Sequence, residues 1–200
     1  QVVSPANSLI GSTSGDFVSA VGLLSAFPNG NYVVLSQFWD GTASNVGAIT
    51  FCNATANSCA GQAVSASNSL VGSTAGDRIG GGGSTTLSNG NMVIQSRSWN
   101  NGGSNSGAGA FTFCHATAGC PTGTLSATNS LTGTKTGDFG NVAASGVLVQ
   151  ALTNGNYVVH SAIWDNGSQV DAGIVTWCHG PPGAAGAAPS SAPVQAARAA

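Results

Sequence analysis

The residues able to do acid–base, nucleophilic or metal chemistry in this sequence are few and scattered. Of the acidic residues all six are aspartate, and with them stand three histidines and five cysteines. Asp16, Asp77 and Asp138 each end a Gly-Asp pair, Asp40 and Asp165 each follow a tryptophan, and Asp171 stands apart. General acid–base catalysis needs tuned carboxylates or imidazoles brought together, and this spacing converges none. The Gly-Asp aspartates read as turn residues whose side chains bond nearby backbone. The segments "GSTSG" and "GSTAG" mimic a nucleophile elbow, but their central residue is threonine and no helical pattern follows. The expectation is a protein that is not an enzyme, with no catalytic residue.

The cysteines point to structure. Cys52 and Cys59 lie seven apart and Cys114 and Cys120 six apart, at matching places in the sequence. Neither spacing is a C-x-x-C redox or zinc motif, so two local disulfides and an oxidising location are expected. Each would close a short loop and contribute about 2–3 kcal/mol. Cys178 has no second cysteine near it and is a candidate for pairing with another chain. His115 and His179 directly follow Cys114 and Cys178, and adjacent strand residues point to opposite faces, so no metal site and no cofactor are expected. His160 reads as a partly exposed strand residue.

Tryptophans supply the best binding candidates. Trp39-Asp40, Trp99-Asn100 and Trp164-Asp165 each lead into a glycine-containing loop. An exposed indole beside an amide or carboxylate can stack on a sugar ring, which gives one reading: a glycan site in each repeat. The other reading has each indole covering a seam between units, a role every unit needs. Asn53 ("NAT") and Asn166 ("NGS") match the glycosylation sequon.

These residues sit in a tandem repeat. "NSLIGSTSGD", "NSLVGSTAGD" and "NSLTGTKTGD" begin at Asn7, Asn68 and Asn129, 61 residues apart each time. Each is followed by "NGNYVV" or "NGNMVI", then by the tryptophan loop, then by "ITFC", "FTFC" or "VTWC". The units are residues 1–61, 62–122 and 123–180. Residues 181–200 switch to Pro, Ala, Gly and Ser without period and read as a flexible tail.

Within a unit the hydrophobic period is two. Tyr32, Val34, Ser36 and Phe38 form one face, expected to be the core face, and Val33, Leu35, Gln37 and Trp39 the wetter one. The same division holds for Met92, Ile94 against Val93, Gln95, and for Tyr157, Val159 against Val158, His160. Asn-Gly between apolar runs predicts a hairpin with a type I′ turn. With the "SLVG" segment as a fourth strand, each unit is about four short antiparallel strands. Such a sheet cannot bury its core face alone, so neighbouring units must pack together. The fold class is therefore all-β, with propeller-blade-like units. The rival layout is a pseudo-threefold trefoil or prism. Three blades are too few for a closed propeller, so dimerisation or a longer array is implied.

Composition narrows the partners. Charged residues are 5% of the chain, against roughly 25% in ordinary soluble domains. Four basic residues and a net charge of -2 cannot build a phosphate-neutralising patch, so nucleic-acid binding is excluded. No apolar run approaches the ~18 residues of a spanning helix, so membrane insertion is not expected. The sequence opens on Gln1 without Met or signal peptide, as a processed or excerpted form would.

The string "NSLVGSTAGD … LTNGNYVV … WDNG … AGIVTWCHG" resembles an uncharacterised tandem repeat of large secreted bacterial proteins, including filamentous-haemagglutinin-type adhesins. The resemblance covers about residues 1–180 and implies an extracellular or cell-surface array without an activity to carry over. The aliphatic–Asn-Gly–aliphatic hairpin is more loosely similar to FG-GAP propeller blades. Their calcium loop is not matched, because residues 29–31, 89–91 and 154–156 hold no carboxylate. The reading is a non-enzymatic, extracellular structural or adhesive protein that self-associates into a surface or filament assembly. Its alternative is a carbohydrate-binding module centred on the three tryptophans. Low charge along strand edges supports the first, since charge is the usual guard against edge pairing.

Overall fold

The structure, a computed structural model, describes residues 2–20, 23–103, 106–140 and 148–180. The tail at 181–200 lies outside these residues. No α-helix occurs among the described residues, and none of their helices is long and apolar enough to cross a membrane. The strands are β1 (Leu9–Ile10), β2 (Leu24–Ala26), β3 (Tyr32–Ser36), β4 (Ala48–Cys52) and β5 (Gln62–Ala63). They continue with β6 (Ser69–Val71), β7 (Ser84–Thr86), β8 (Met92–Ser96), β9 (Ala110–Cys114) and β10 (Gly123–Thr124). Last come β11 (Leu131–Thr132), β12 (Val149–Ala151), β13 (Tyr157–Ser161) and β14 (Ile174–Cys178).

Each unit builds an antiparallel meander. β2-β3-β4 form the first, β7-β8-β9 the second and β12-β13-β14 the third. The fourth strand comes from the following unit: β6 pairs with β4, and β11 with β9. A separate sheet for each unit, with no closed barrel among the described residues, matches blade-like repeats and not the trefoil. β1 has no meander before it and pairs in parallel with β5. β10 lies on β6 in the same parallel way.

The hairpins differ from the expected type I′ turn. Phe27 N–H donates to Asn31 O at 2.7 Å and Gly30 N–H to Phe27 O at 3.0 Å, enclosing a three-residue loop. Gly30 takes φ 88°, while Asn29 is not left-handed. The loop is a type I turn closed by a glycine bulge, and the Asn29 side chain accepts the Asn31 N–H at 3.1 Å. That bond removes the need for a second positive φ. The Asn89 and Asn154 loops repeat it.

The expected wetter face is a second core face in the first two units. Val33, Leu35, Ile49 and Leu70 of the first sheet pack with Met92 and Ile94 of the second. Val93, Phe111 and Phe113 of the second pack with Tyr157 and Val159 of the third. Each blade thus lays one face on the opposite face of the next. Only β13 alternates as the sequence suggests, with Tyr157, Val159 and Ser161 buried and Val158 and His160 half-buried. No further blade covers it among the described residues. Burying such a side chain fully contributes roughly 1.5–3 kcal/mol, so the inter-blade seams carry much of the fold.

Candidate functional site

The repeated words of the sequence are hydrogen-bonded scaffolding, and the three copies match atom for atom. In the first unit Asp16 Oδ2 accepts the N–H groups of Ser12 and Thr13 at 2.7 and 2.8 Å, and Oδ1 accepts the Asp40 N–H at 2.9 Å. Asp77 holds Ser73, Thr74 and Asn100 at 2.9, 2.8 and 3.0 Å. Asp138 holds Thr134 and Lys135 at 2.7 and 2.9 Å, with the Asp165 N–H farther off at 3.5 Å. All three aspartates are buried. Each buried carboxylate ties its own turn to the tryptophan loop through charge-assisted bonds.

The residue after each tryptophan closes that loop. Asp40 Oδ1 accepts the Asn45 N–H at 2.6 Å, Asn100 Oδ1 the Gly107 N–H at 3.1 Å, and Asp165 Oδ1 the Asp171 N–H at 2.9 Å. The Asp171 bond, then the Lys135 ammonium at 3.3 Å, hold the Asp165 carboxyl below its ordinary pKa. Lys135 also donates to Gly167 O. Asn7, Asn68 and Asn129 accept the N–H of the serine three residues before them at 2.9, 3.0 and 3.0 Å.

Sequence reasoning missed the third residue of each Asn-Gly-Asn. Asn31, Asn91 and Asn156 reach across the hairpin to accept the N–H of Ala54, Ala116 and Gly180. Its identity in all three copies was the available signal.

Trp39 and Trp99 are buried, 7% and 4% exposed. Trp39 packs with Val46 and Ala48 of its own unit and with Val64 and Val71 of the next, so it covers a seam. Its Nε1 is buried without a hydrogen-bond partner. Trp164 is half-buried against the second core, with Asp165 and Lys135 beside it. The three indoles therefore do not form three equivalent open sites.

Cys52–Cys59 and Cys114–Cys120 are disulfide-bonded, which fits an oxidising extracellular environment. Cys178 is a buried free thiol beside Tyr157, and burial pushes it up to about 11. Pairing with another chain would require β14 to open. His115 Nδ1 accepts the N–H groups of Thr117 and Ala118, both at 3.1 Å, within the second disulfide loop. His179 Nδ1 lies 2.9 Å from Asn156 Oδ1. Asn53 is half-buried and its Oδ1 accepts the Ala56 N–H, while Asn166 is exposed at a tight turn with Gln169.

A cavity of about 560 Å³ lies between the second and third Gly-Asp turns, lined by Arg78, Arg97, Asn100 and Thr136. Arg78 stacks on Phe38 at 5.5 Å, and Arg97 donates to Gln95 Oε1 and Gly82 O. Its described lining contains no carboxylate, imidazole or thiol, so it offers no general acid or base.

A family model described as a repeat of unknown function (DUF5650) matches residues 1–20, 26–81, 86–141 and 151–192. The chain belongs to this repeat family. The segments 26–81 and 86–141 each open on the last residue of the hairpin's first strand, Ala26 or Thr86, and end after the next Gly-Asp turn. Each therefore holds two strands of a meander together with the fourth strand that follows them, β3, β4 and β6 in one and β8, β9 and β11 in the other. A comparison with curated proteins and with solved structures finds no match.

Proposed function

We propose that this DUF5650 chain is a non-enzymatic structural and adhesive repeat module of the extracellular or cell-surface space, and that it self-associates into a surface or filament assembly. One observation carries the reading: on the outer face of the third blade the apolar side chains Val175 and Trp177 are left uncovered by the described residues. Val175 is 70% exposed, whereas its counterparts Ile49 and Phe111 are fully buried by the next blade. The repeat aspartates and asparagines are spent on backbone bonds, in register, in every unit. The disulfides support the oxidising compartment.

The carbohydrate-binding alternative needs open indoles, and the burial of Trp39 and Trp99 leaves it Trp164 alone. Sedimentation velocity with electron microscopy tests the two. The assembly reading expects ordered oligomers or polymers unaffected by added sugars. Monomers whose tryptophan fluorescence is quenched by a glycan would replace it with the lectin reading.

A further inference from the structure

Among the described residues, β14 and β1 leave open edges that are the two halves of the joint already connecting the repeats. In the first joint Ala48, Ile49 and Thr50 of β4 face Val71, Leu70 and Ser69, and the Thr50 and Ser69 hydroxyls lie 2.7 Å apart. In the second, Ala110 and Phe111 of β9 face Thr132 and Leu131, and the Thr112 and Ser130 hydroxyls lie 2.8 Å apart. Ile174, Val175 and Thr176 of β14 hold the corresponding places, and no strand lies on that edge among the described residues. The reciprocal half is β1. It stands where β6 and β11 stand in their units, yet only β5 borders it there.

Two further mismatches in burial match the same joint. Val64 and Leu125, each four residues before the repeat asparagine, are buried, and they donate N–H bonds to Ile10 O at 3.0 Å and Val71 O at 2.9 Å. Val3 occupies that position in the first unit and is 85% exposed. Across the second seam the Phe113 ring stacks on Tyr157 with centroids 6.3 Å apart. Trp177 is the counterpart of Phe113 and is 39% exposed, and Tyr32, the counterpart of Tyr157, is half-buried in the first unit. Every part of a third joint is present, divided between the two ends of the array.

We propose that a second copy of this chain docks head to tail, its residues 7–10 becoming the fourth strand of the third sheet, antiparallel to β14. Val175 then faces Leu9, Ile174 faces Ile10, and the Thr176 and Ser8 hydroxyls pair. Val3 of the second copy donates to Thr132 O and enters the pocket beside Trp164, as Val64 does beside Trp39. Trp177 stacks on Tyr32. The occupant is a second copy because the two surfaces differ and each repeats the chemistry of an internal partner. Such a heterologous contact closes a ring or runs on as a filament. This inference rests on the self-association reading and specifies its interface.

The test is the full chain carrying Ser8→Cys and Thr176→Cys, oxidised and run without reductant. The expected result is a disulfide between chains, absent in either single variant and in a Ser8→Cys/Ile174→Cys pair that is two residues out of register. Val3→Asp provides a second arm. Val3 is exposed in the isolated chain, so folding is retained, while a buried carboxylate at the joint weakens association at least tenfold. Association that persists unchanged in Val3→Asp, without a link between the two introduced thiols, overturns the joint and leaves self-association standing. A link formed only within one chain overturns the joint as well. Monomers at all concentrations overturn both.

Discussion

Asp77 shows what a single repeated residue does here. Its carboxylate, itself buried, is the sole acceptor shown for the N–H groups of Ser73, Thr74 and Asn100. Asp77→Ala leaves three donors without it, and each buried unmet donor costs on the order of 1–3 kcal/mol. Relaxation recovers part of this, so a loss of about 3 kcal/mol is expected in urea unfolding, with Asp77→Asn losing roughly half as much. An Asp77→Asn variant as stable as the parent would mean that shape, not charge-assisted bonding, sets the contribution. Cys178 makes a separate prediction. Buried and pushed up to about 11, its thiol is held away from the reactive thiolate at neutral pH. Folded protein is expected to resist thiol reagents at pH 8, while unfolded, unreduced protein releases one thiol per chain. Fast labelling of the native state would place Cys178 at the surface.

At the scale of elements, the strands were legible because period-two alternation and Asn-Gly are local signals, but which unit supplies the fourth strand was not. Burial was not. Val33 and Leu35 read as a wetter face because a single strand carries no record of the blade that will cover it, and here the cover comes from Met92 and Ile94, about sixty residues on. For the same reason the tryptophans could be read as glycan platforms or as seam covers, and only the neighbouring blade decides for Trp39. The turn type was missed because Asn29 supplies a side-chain bond that substitutes for a second left-handed residue. Loop glycines separate these effects experimentally. At Gly30 a Cβ would meet nothing within 4 Å, so Gly30→Ala is expected to cost about 1 kcal/mol from its positive φ alone. At Gly47 a Cβ would stand 2.3 Å from Ile79 N, where that residue bonds Val46 O across the seam. Gly47→Ala adds this clash to the backbone strain and is expected to cost more than twice as much, read from denaturant midpoints at unchanged m-value. Comparable costs would show that the seam yields.

For the whole molecule, stability is a sum of blades and seams, as in other repeat arrays. The first two sheets each have four strands or more, a disulfide at the end of the third strand and a blade against the outer face. Among the described residues the third has three strands, a free thiol in place of the disulfide and one bare face. Opening it alone forfeits one seam, whereas opening the second blade forfeits two. Hydrogen exchange at low protein concentration is therefore expected to be graded: slowest in β8 and β9, slower in β4 than in β14, and fastest in β14 and β12. The second blade's place follows from its two seams. The first forfeits one seam, as the third does, but keeps a fourth strand on β4 and a disulfide. Strand β14 is as long as β4 and β9 and no poorer in β-branched or aromatic residues. Uniform protection across the three sheets would mean that they unfold as one cooperative body, and that an uncovered face costs the third blade nothing.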